Sequence, residues 1–276
     1  MATHETPEYL EAIKNLSLAS KILAHHGVVD GFGHVSCRDP RQPHDHFLLS
    51  RNLAPALVEP HDIVAWRIDN SEPTVPDSPR GFLERCIHSE IYKYKHGSLT
   101  RALDRLYPAV AAVVHFHSPD ILPFGLLPIP FKPVYHMASF LGPASPPVFE
   151  IRDAFGPATD MLIRDTAMGA ALAGHFRASE AADADADAEP RPLVLMRGHG
   201  ATLVASSLKL VVYRAVYTQH NARILTSLSA LAGGVDRVAD GARFLNAEEC
   251  RAATRSNEGQ ITRAWDVWVQ ELNGNV

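Results

Sequence analysis

Residues 111–120 read AAVVHFHSPD. A run of small apolar residues that reaches two histidines and stops at Ser-Pro-Asp reads as a buried strand ending in a turn. A strand sends residues i and i+2 to one face, so His115 and His117 project together and Phe116 points the other way. Two neutral imidazoles side by side are poor core material, because each needs a hydrogen-bond partner. They make a good half of a metal site, and the rest of the chain has to supply the other half.

Upstream, PEYLEAIKNLSLASKILAH (7–25) places Tyr9, Ala12, Ile13, Leu16, Ala19 and Leu23 at helical spacing, with Gly27 as a stop. GFGHVSCRDP (31–40) and DHFLLS (45–50) read as two short strands. Residues 54–80 contain five prolines and read as strand fragments and surface loops. FLERCIHSEIYKYK (82–95) predicts a helix with Leu83, Ile87 and Ile91 on one stripe. Downstream, DILPFGLL (120–127) opens a short helix, PVYHMASFLG (133–142) and PVFEI (147–151) read as strands, and 158–175 has a helical pattern. PLVLMRGHGATLVAS (192–206) is a strand, a Gly-His-Gly turn and a second strand. A long helix follows at 207–231, and QITRAWDVWVQEL (260–272) forms a terminal helix with Trp265, Trp268 and Leu272 on one face. Strands and helices mixed in this way predict a sheet covered by helices. The expected organisation is one domain over 1–276, with an acidic, alanine-rich insert at about 179–192 and a helical extension from about 240.

Composition narrows the function classes. With 26 basic against 31 acidic residues, the chain has no basic field to track phosphates, so nucleic-acid binding is not expected. Cys37, Cys86 and Cys250 are odd in number and far apart, which gives neither a disulfide framework nor zinc-finger spacing. The opening MATHETPEYLEAIKN lacks the apolar centre of a signal peptide, and no apolar run reaches membrane-spanning length. The expectation is a soluble, cytoplasmic protein without membrane contacts.

The second half of a metal site can be found. Glu84 and His88 stand four residues apart, and His199 lies between Gly198 and Gly200, where bare backbone permits close approach. His115, His117 and His199 leave an open position of the kind a catalytic divalent cation uses, with a carboxylate as fourth ligand or as base. Zinc, manganese, cobalt and iron all suit three imidazoles. His88, one turn from Glu84, is read as a packing or hydrogen-bonding residue rather than a ligand.

The blocks FLERCIHSEIY, AVVHFHSPD and LVLMRGHGATLVA resemble, in order and spacing, three blocks of the class II aldolase/adducin family, over roughly residues 8–230. That resemblance implies an α/β fold of three layers, α/β/α, around a mostly antiparallel sheet. It implies one divalent metal ion on His115, His117 and His199, Zn2+ foremost, with Glu84 catalytic. It also implies a tyrosine proton donor on the long helix, Tyr213 or Tyr217, with Tyr217 taken as the candidate. A homo-oligomer, by resemblance a tetramer with its pocket at a subunit boundary, is expected as well.

The chain departs from the family's sugar-phosphate aldolases. His34 in GFGHVSCR stands where they carry asparagine, LLSRNLAP has Arg51 and no Ser-Gly turn, and RGFL replaces a Ser-Ser pair before Glu84. A phosphate cradle is largely missing. Arg51, Arg85 and His34, with Ser36, become candidates to hold a planar carboxylate, and His136 a further substrate contact. This pattern is similar to family members that decarboxylate hydroxylated aromatic or heteroaromatic dicarboxylates. The expectation is a metal-dependent carbon–carbon lyase acting as a decarboxylase on a small-molecule carboxylate. An aldolase on a small hydroxy-carbonyl compound and a non-catalytic adducin-like module are the alternatives.

Overall fold

A computed structural model describes residues 5–93, 110–176 and 191–274. Helix α1 (Pro7–His25) starts where the Thr6 side chain accepts the Tyr9 N–H and proline occupies the first turn. Then come strands β1 (His34–Arg38), β2 (His46–Ser50) and β3 (Ile63–Arg67), helix α2 (Arg85–Lys93) and β4 (Ala112–Phe116). Helix α3 (Leu122–Leu126), β5 (Val148–Phe149), α4 (Ile151–Phe155), α5 (Thr166–Gly174), β6 (Leu193–Met196) and β7 (Gly200–Ala205) continue the chain. It closes with α6 (Leu208–Ala232), α7 (Val235–Gly241), α8 (Ala247–Glu258) and α9 (Ile261–Leu272).

The strands form one mixed sheet in the order β3-β2-β1-β4-β7-β6-β5. Every neighbouring pair is antiparallel except β5 with β6, which is parallel at the edge. Period-two alternation decides which layer each strand residue feeds. Val35, Cys37, Leu48, Val114, Phe116, Leu195 and Leu203 pack on one face against α1, α6 and the tryptophans of α9. Phe47, Leu49, Val113, Val194, Met196 and Val204 pack on the other against Ile87 and Ile91 of α2 and Leu172 of α5. Both faces are covered, which gives the three layers the resemblance implied. The polar residues of the strands follow the same parity. His34 and Ser36 alternate with Val35 and Cys37, and the register sets His34 opposite His115 and His115 opposite Thr202. These side chains therefore gather on the face covered by α2.

Three segments differ from their sequence reading. PVYHMASFLG forms a 3-10 turn over His136–Leu141 instead of a strand. Ala138, Ser139, Phe140 and Leu141 are all buried, which an alternating strand could not achieve against one core. The turn's polar groups are taken by side chains: Tyr213 Oη donates to the Met137 carbonyl and Asn257 Nδ2 to the His136 carbonyl. The expected helix at 158–175 begins only at Thr166, where the Asp165 side chain accepts the Met168 N–H. Before it, Thr159 and Asp160 side chains accept the N–H groups of Met161 and Leu162 and favour a loop. Glu84 occupies the turn just before α2, not the helix itself. Most of the acidic insert at 179–192, and residues 94–95 of the predicted second helix, lie outside the described residues. Among the described residues, no helix is long and apolar enough to cross a membrane.

Candidate metal centre

His115 is the residue from which the site is built. It sits near the end of β4, held between β1 and β7. Thr202 donates its hydroxyl hydrogen to Met196 Sδ at 3.4 Å, so its oxygen is free to accept from His115 Nδ1 at 3.1 Å. The bond places the imidazole hydrogen on Nδ1 and leaves a lone pair on Nε2, the tautomer a metal ligand needs. His117 lies one residue past the strand, with its Nε2 2.9 Å from His115 Nε2.

His199 arrives from the β6–β7 hairpin. Its Nε2 lies 3.1 Å from His117 Nε2, while its own N–H donates to the Met196 carbonyl. The turn presses against the exit of β4. At Gly200, with φ of 151°, a Cβ would stand 2.1 Å from the Phe116 carbonyl oxygen. Only glycine fits there, and this closeness brings His199 to the histidine pair.

Glu84 completes the cluster. Its Oε2 is 3.5 Å from His115 Nε2 and its Oε1 is 3.5 Å from His199 Nε2. Oε1 also accepts the Ile163 N–H at 2.9 Å, which fixes the carboxylate from the loop before α5. Ligand atoms of Glu84, His115, His117 and His199 all lie within 4.8 Å of one another.

Electrostatics suit a cation. Burial, with neighbouring His115 and His199, pushes the His117 imidazole down to about 3. Burial likewise lowers His115. For Glu84, burial alone would raise the carboxyl, but its contacts with His115 and His199 outweigh that and hold it well below the usual carboxylate range. Ring nitrogens of His115, His117 and His199 and the Glu84 carboxylate thus face one point. Three nitrogens with one hard oxygen form a donor set that fits a divalent metal.

The other candidates sit elsewhere or are already engaged. His34 lies beside the centre, its ring centroid 5.2 Å from that of His115. Ser36 is fully buried, and its hydroxyl contacts His88 Nδ1 at 2.6 Å and Tyr92 Oη at 2.8 Å, leaving none of it for a substrate. Arg51 Nε bonds Asp62 Oδ1 at 2.6 Å. Arg85 turns toward β3, donating to the Ser71 carbonyl and Glu72 and resting over Trp66. His136 is exposed, with its ring by Tyr135. Tyr217 packs among Tyr213, His220 and Trp268 in the layer of α6 and α9. Among the described residues, no side-chain hydrogen bond, ion pair or ring contact joins Arg51, Arg85, His136 or Tyr217 to the four clustered residues. Sequence reasoning missed Thr202 and Met196, which orient His115, and the Ile163 N–H that holds Glu84. Their roles depend on strand register and on a loop 79 residues away from Glu84, neither of which leaves a local signal. His88 hydrogen-bonds, to His34 and Ser36.

A mixed sheet between two helical layers, with three imidazoles and a carboxylate converging near its strand ends, defines an α/β scaffold whose side-chain cluster fits a divalent metal. The chain belongs to the family described as Class II Aldolase and Adducin N-terminal domain, whose model matches residues 14–226. It is 39% identical over 257 residues to the decarboxylase tropJ of Talaromyces stipitatus, covering 91% of this chain and 90% of that protein. It is 25% identical over 238 residues to a 3,4-dihydroxyphthalate decarboxylase of Arthrobacter keyseri, covering 82% of each. Among solved structures, an L-fuculose 1-phosphate aldolase from Glaciozyma antarctica matches with a TM-score of 0.64 at 17% identity, over 99% of this chain and 94% of that one. That last likeness is one of fold. Family, relatives and site together make this chain a lyase.

Proposed function

We propose that this protein is a divalent-metal-dependent decarboxylase acting on a hydroxylated aromatic or heteroaromatic carboxylate or dicarboxylate. The observation that carries the proposal is the convergence of Glu84, His115, His117 and His199 within 4.8 Å. Similarity to the decarboxylase tropJ supports the reaction type.

Breaking a bond between a ring carbon and its carboxyl group leaves an electron pair on carbon. A divalent cation held by His115, His117 and His199, zinc in our reading, supplies Lewis acidity to a neighbouring oxygen that can share that charge. The chain's own residues do the rest. Thr202 keeps His115 in its ligating tautomer. Glu84, ionised and fixed by the Ile163 N–H, is placed to take the proton of the substrate hydroxyl. It returns that proton to the ring carbon once carbon dioxide has left, and the product's hydroxyl oxygen then takes one proton from solvent, so the reaction consumes one proton overall and leaves Glu84 unchanged. His34, beside His115, contacts a substrate oxygen.

Aldol cleavage is the second reading, and the family match keeps it in view. Against it, Arg51 stands where a phosphate-binding Ser-Gly turn is expected and is paired with Asp62. The purified protein should release carbon dioxide from hydroxyphthalates or pyridine dicarboxylates and form no product from dihydroxyacetone phosphate and aldehydes. The reverse result would establish the aldolase. Metal content near zero with neither activity would return the chain to a non-catalytic module. We also propose a homo-oligomer, a tetramer by family resemblance. Exposed Phe32, Leu126 and Leu127 support that assignment, and light scattering would read the mass directly.

A further inference from the structure

A chain of four buried polar side chains leads away from the metal centre. His34 Nδ1 lies 2.6 Å from His88 Nε2, His88 Nδ1 lies 2.6 Å from Ser36 Oγ, and Ser36 Oγ lies 2.8 Å from Tyr92 Oη. His88 and Ser36 are fully buried, and Tyr92 and His34 nearly so. None of the four is a member of the ligand cluster. A line of polar groups this deep needs a reason, since each unpaired member would be costly.

The hydrogens in such a line cannot be placed independently. Tyr92 Oη has Ser36 Oγ as its hydrogen-bond partner among the described residues. The phenol must therefore donate to Ser36 or leave a buried donor unpaired. Ser36, receiving that hydrogen, turns its own toward His88 Nδ1. His88, accepting on Nδ1, carries its hydrogen on Nε2 and donates it to His34 Nδ1. His34, accepting on Nδ1, is left with its hydrogen on Nε2. The opposite direction would strand the Tyr92 hydrogen and put a bare lone pair on His34 Nε2. That nitrogen has no protein partner among the described residues, and its ring lies 5.2 Å, centroid to centroid, from the ligand His115.

We infer that Tyr92, Ser36 and His88 are positioning residues that fix His34 as an Nε2–H donor facing the metal centre. A donor there suits a carboxylate or hydroxyl oxygen of the substrate and would repel a group that offers only hydrogens. The assignment of that oxygen rests on the decarboxylase reading, whereas the tautomer of His34 does not. Burial favours neutral rings at both His34 and His88, in keeping with one hydrogen lying between them.

The test is nitrogen-15 NMR of the imidazoles in the zinc-loaded, substrate-free protein, with His34 assigned by its loss in His34→Asn. The expected result is an Nε2-protonated His34 at neutral pH. An Nδ1-protonated or doubly protonated ring would overturn the inference. Tyr92→Phe removes the terminal hydrogen and keeps the shape, so His34 should become a mixture of tautomers. KM for the carboxylate substrate should rise about tenfold with a smaller change in kcat. Ser36→Ala and His88→Ala should act in the same direction, and His88→Gln, whose amide can still donate toward His34, should lose less than His88→Ala. If Tyr92→Phe and Ser36→Ala leave the tautomer and KM unchanged, the relay has no role. A correct tautomer in a protein that releases no carbon dioxide would instead count against the decarboxylase reading alone.

Discussion

Glu84 stands in the turn before α2 with one oxygen toward His115 and the other toward His199. A carboxylate so placed can serve as base or ligand, and one substitution separates the two roles. Glu84→Gln keeps the shape and the Ile163 N–H contact while removing the capacity to carry a proton. With His115, His117 and His199 intact, the metal should remain, at near one equivalent by elemental analysis. Turnover should fall about 10²- to 10⁴-fold, the usual worth of a positioned acid–base group. Loss of the metal together with the rate would recast Glu84 as a ligand. The four clustered residues were readable from sequence because each carries a local mark: an i, i+2 pair on a strand, a glycine-flanked histidine, and an acid four residues before His88 in a helical pattern, whose role the family resemblance implied. The groups that orient them were not. That Thr202 faces His115, or that His34 and Ser36 meet His88, follows from antiparallel register between segments tens of residues apart, and no single stretch of sequence encodes register.

At the scale of elements, two backbone devices can be tested, of which the first carries the site. The first is the β6–β7 turn. Gly200→Ala would drive a methyl into the Phe116 carbonyl oxygen, at a φ that L-residues rarely adopt. Either β4 or the turn must move, which should cost roughly 2–4 kcal/mol in urea unfolding and weaken metal binding as well. Unchanged stability and full metal content would show that the contact relaxes freely. The second is the 3-10 turn Pro60–Asp62 leading into β3. Burial would raise the Asp62 carboxyl, but the Glu59 N–H and Arg51 outweigh it and lower the pKa. A carboxyl with a lower pKa folded than unfolded adds stability above its unfolded value, about 3.9, and loses it as pH falls through the folded value. Asp62→Asn should therefore destabilise the protein by about 1–3 kcal/mol at pH 7. Below the folded pKa the gap to the parent should close, as compared urea midpoints would reveal. An equal gap at pH 7 and pH 3 would refute the ionic account. Elements with strict periodicity, such as α1, β4 and α6, were legible. Residues 133–142 were not, because side chains of α6 and α8 satisfy their backbone in place of a neighbouring strand, and those helices begin 66 or more residues downstream.

Across the whole molecule, alternation in the strands sorts side chains into two helical layers, and the candidate centre draws its ligands from three separate places on that framework. Glu84 comes from the approach to α2, His115 and His117 from the end of β4, and His199 from the β6–β7 turn. Unfolding separates them, so a cation that needs all of them binds the folded chain alone and stabilises it by mass action. At a free metal concentration 100 times the dissociation constant the gain is about 2.7 kcal/mol. For a chain of this size that amounts to roughly 5–10 °C in Tm. Exhaustive chelation should therefore lower Tm by that margin and abolish carbon dioxide release, and added zinc, manganese or cobalt should restore both. His117→Ala should lower Tm on its own and make it insensitive to chelator, since the ligand set is already broken. Coupled loss and recovery of stability and turnover would tie the metal to the fold and the chemistry at one place. Turnover that survives chelation, with Tm unmoved, would mean that these imidazoles meet for another purpose and that Lewis-acid decarboxylation does not occur here.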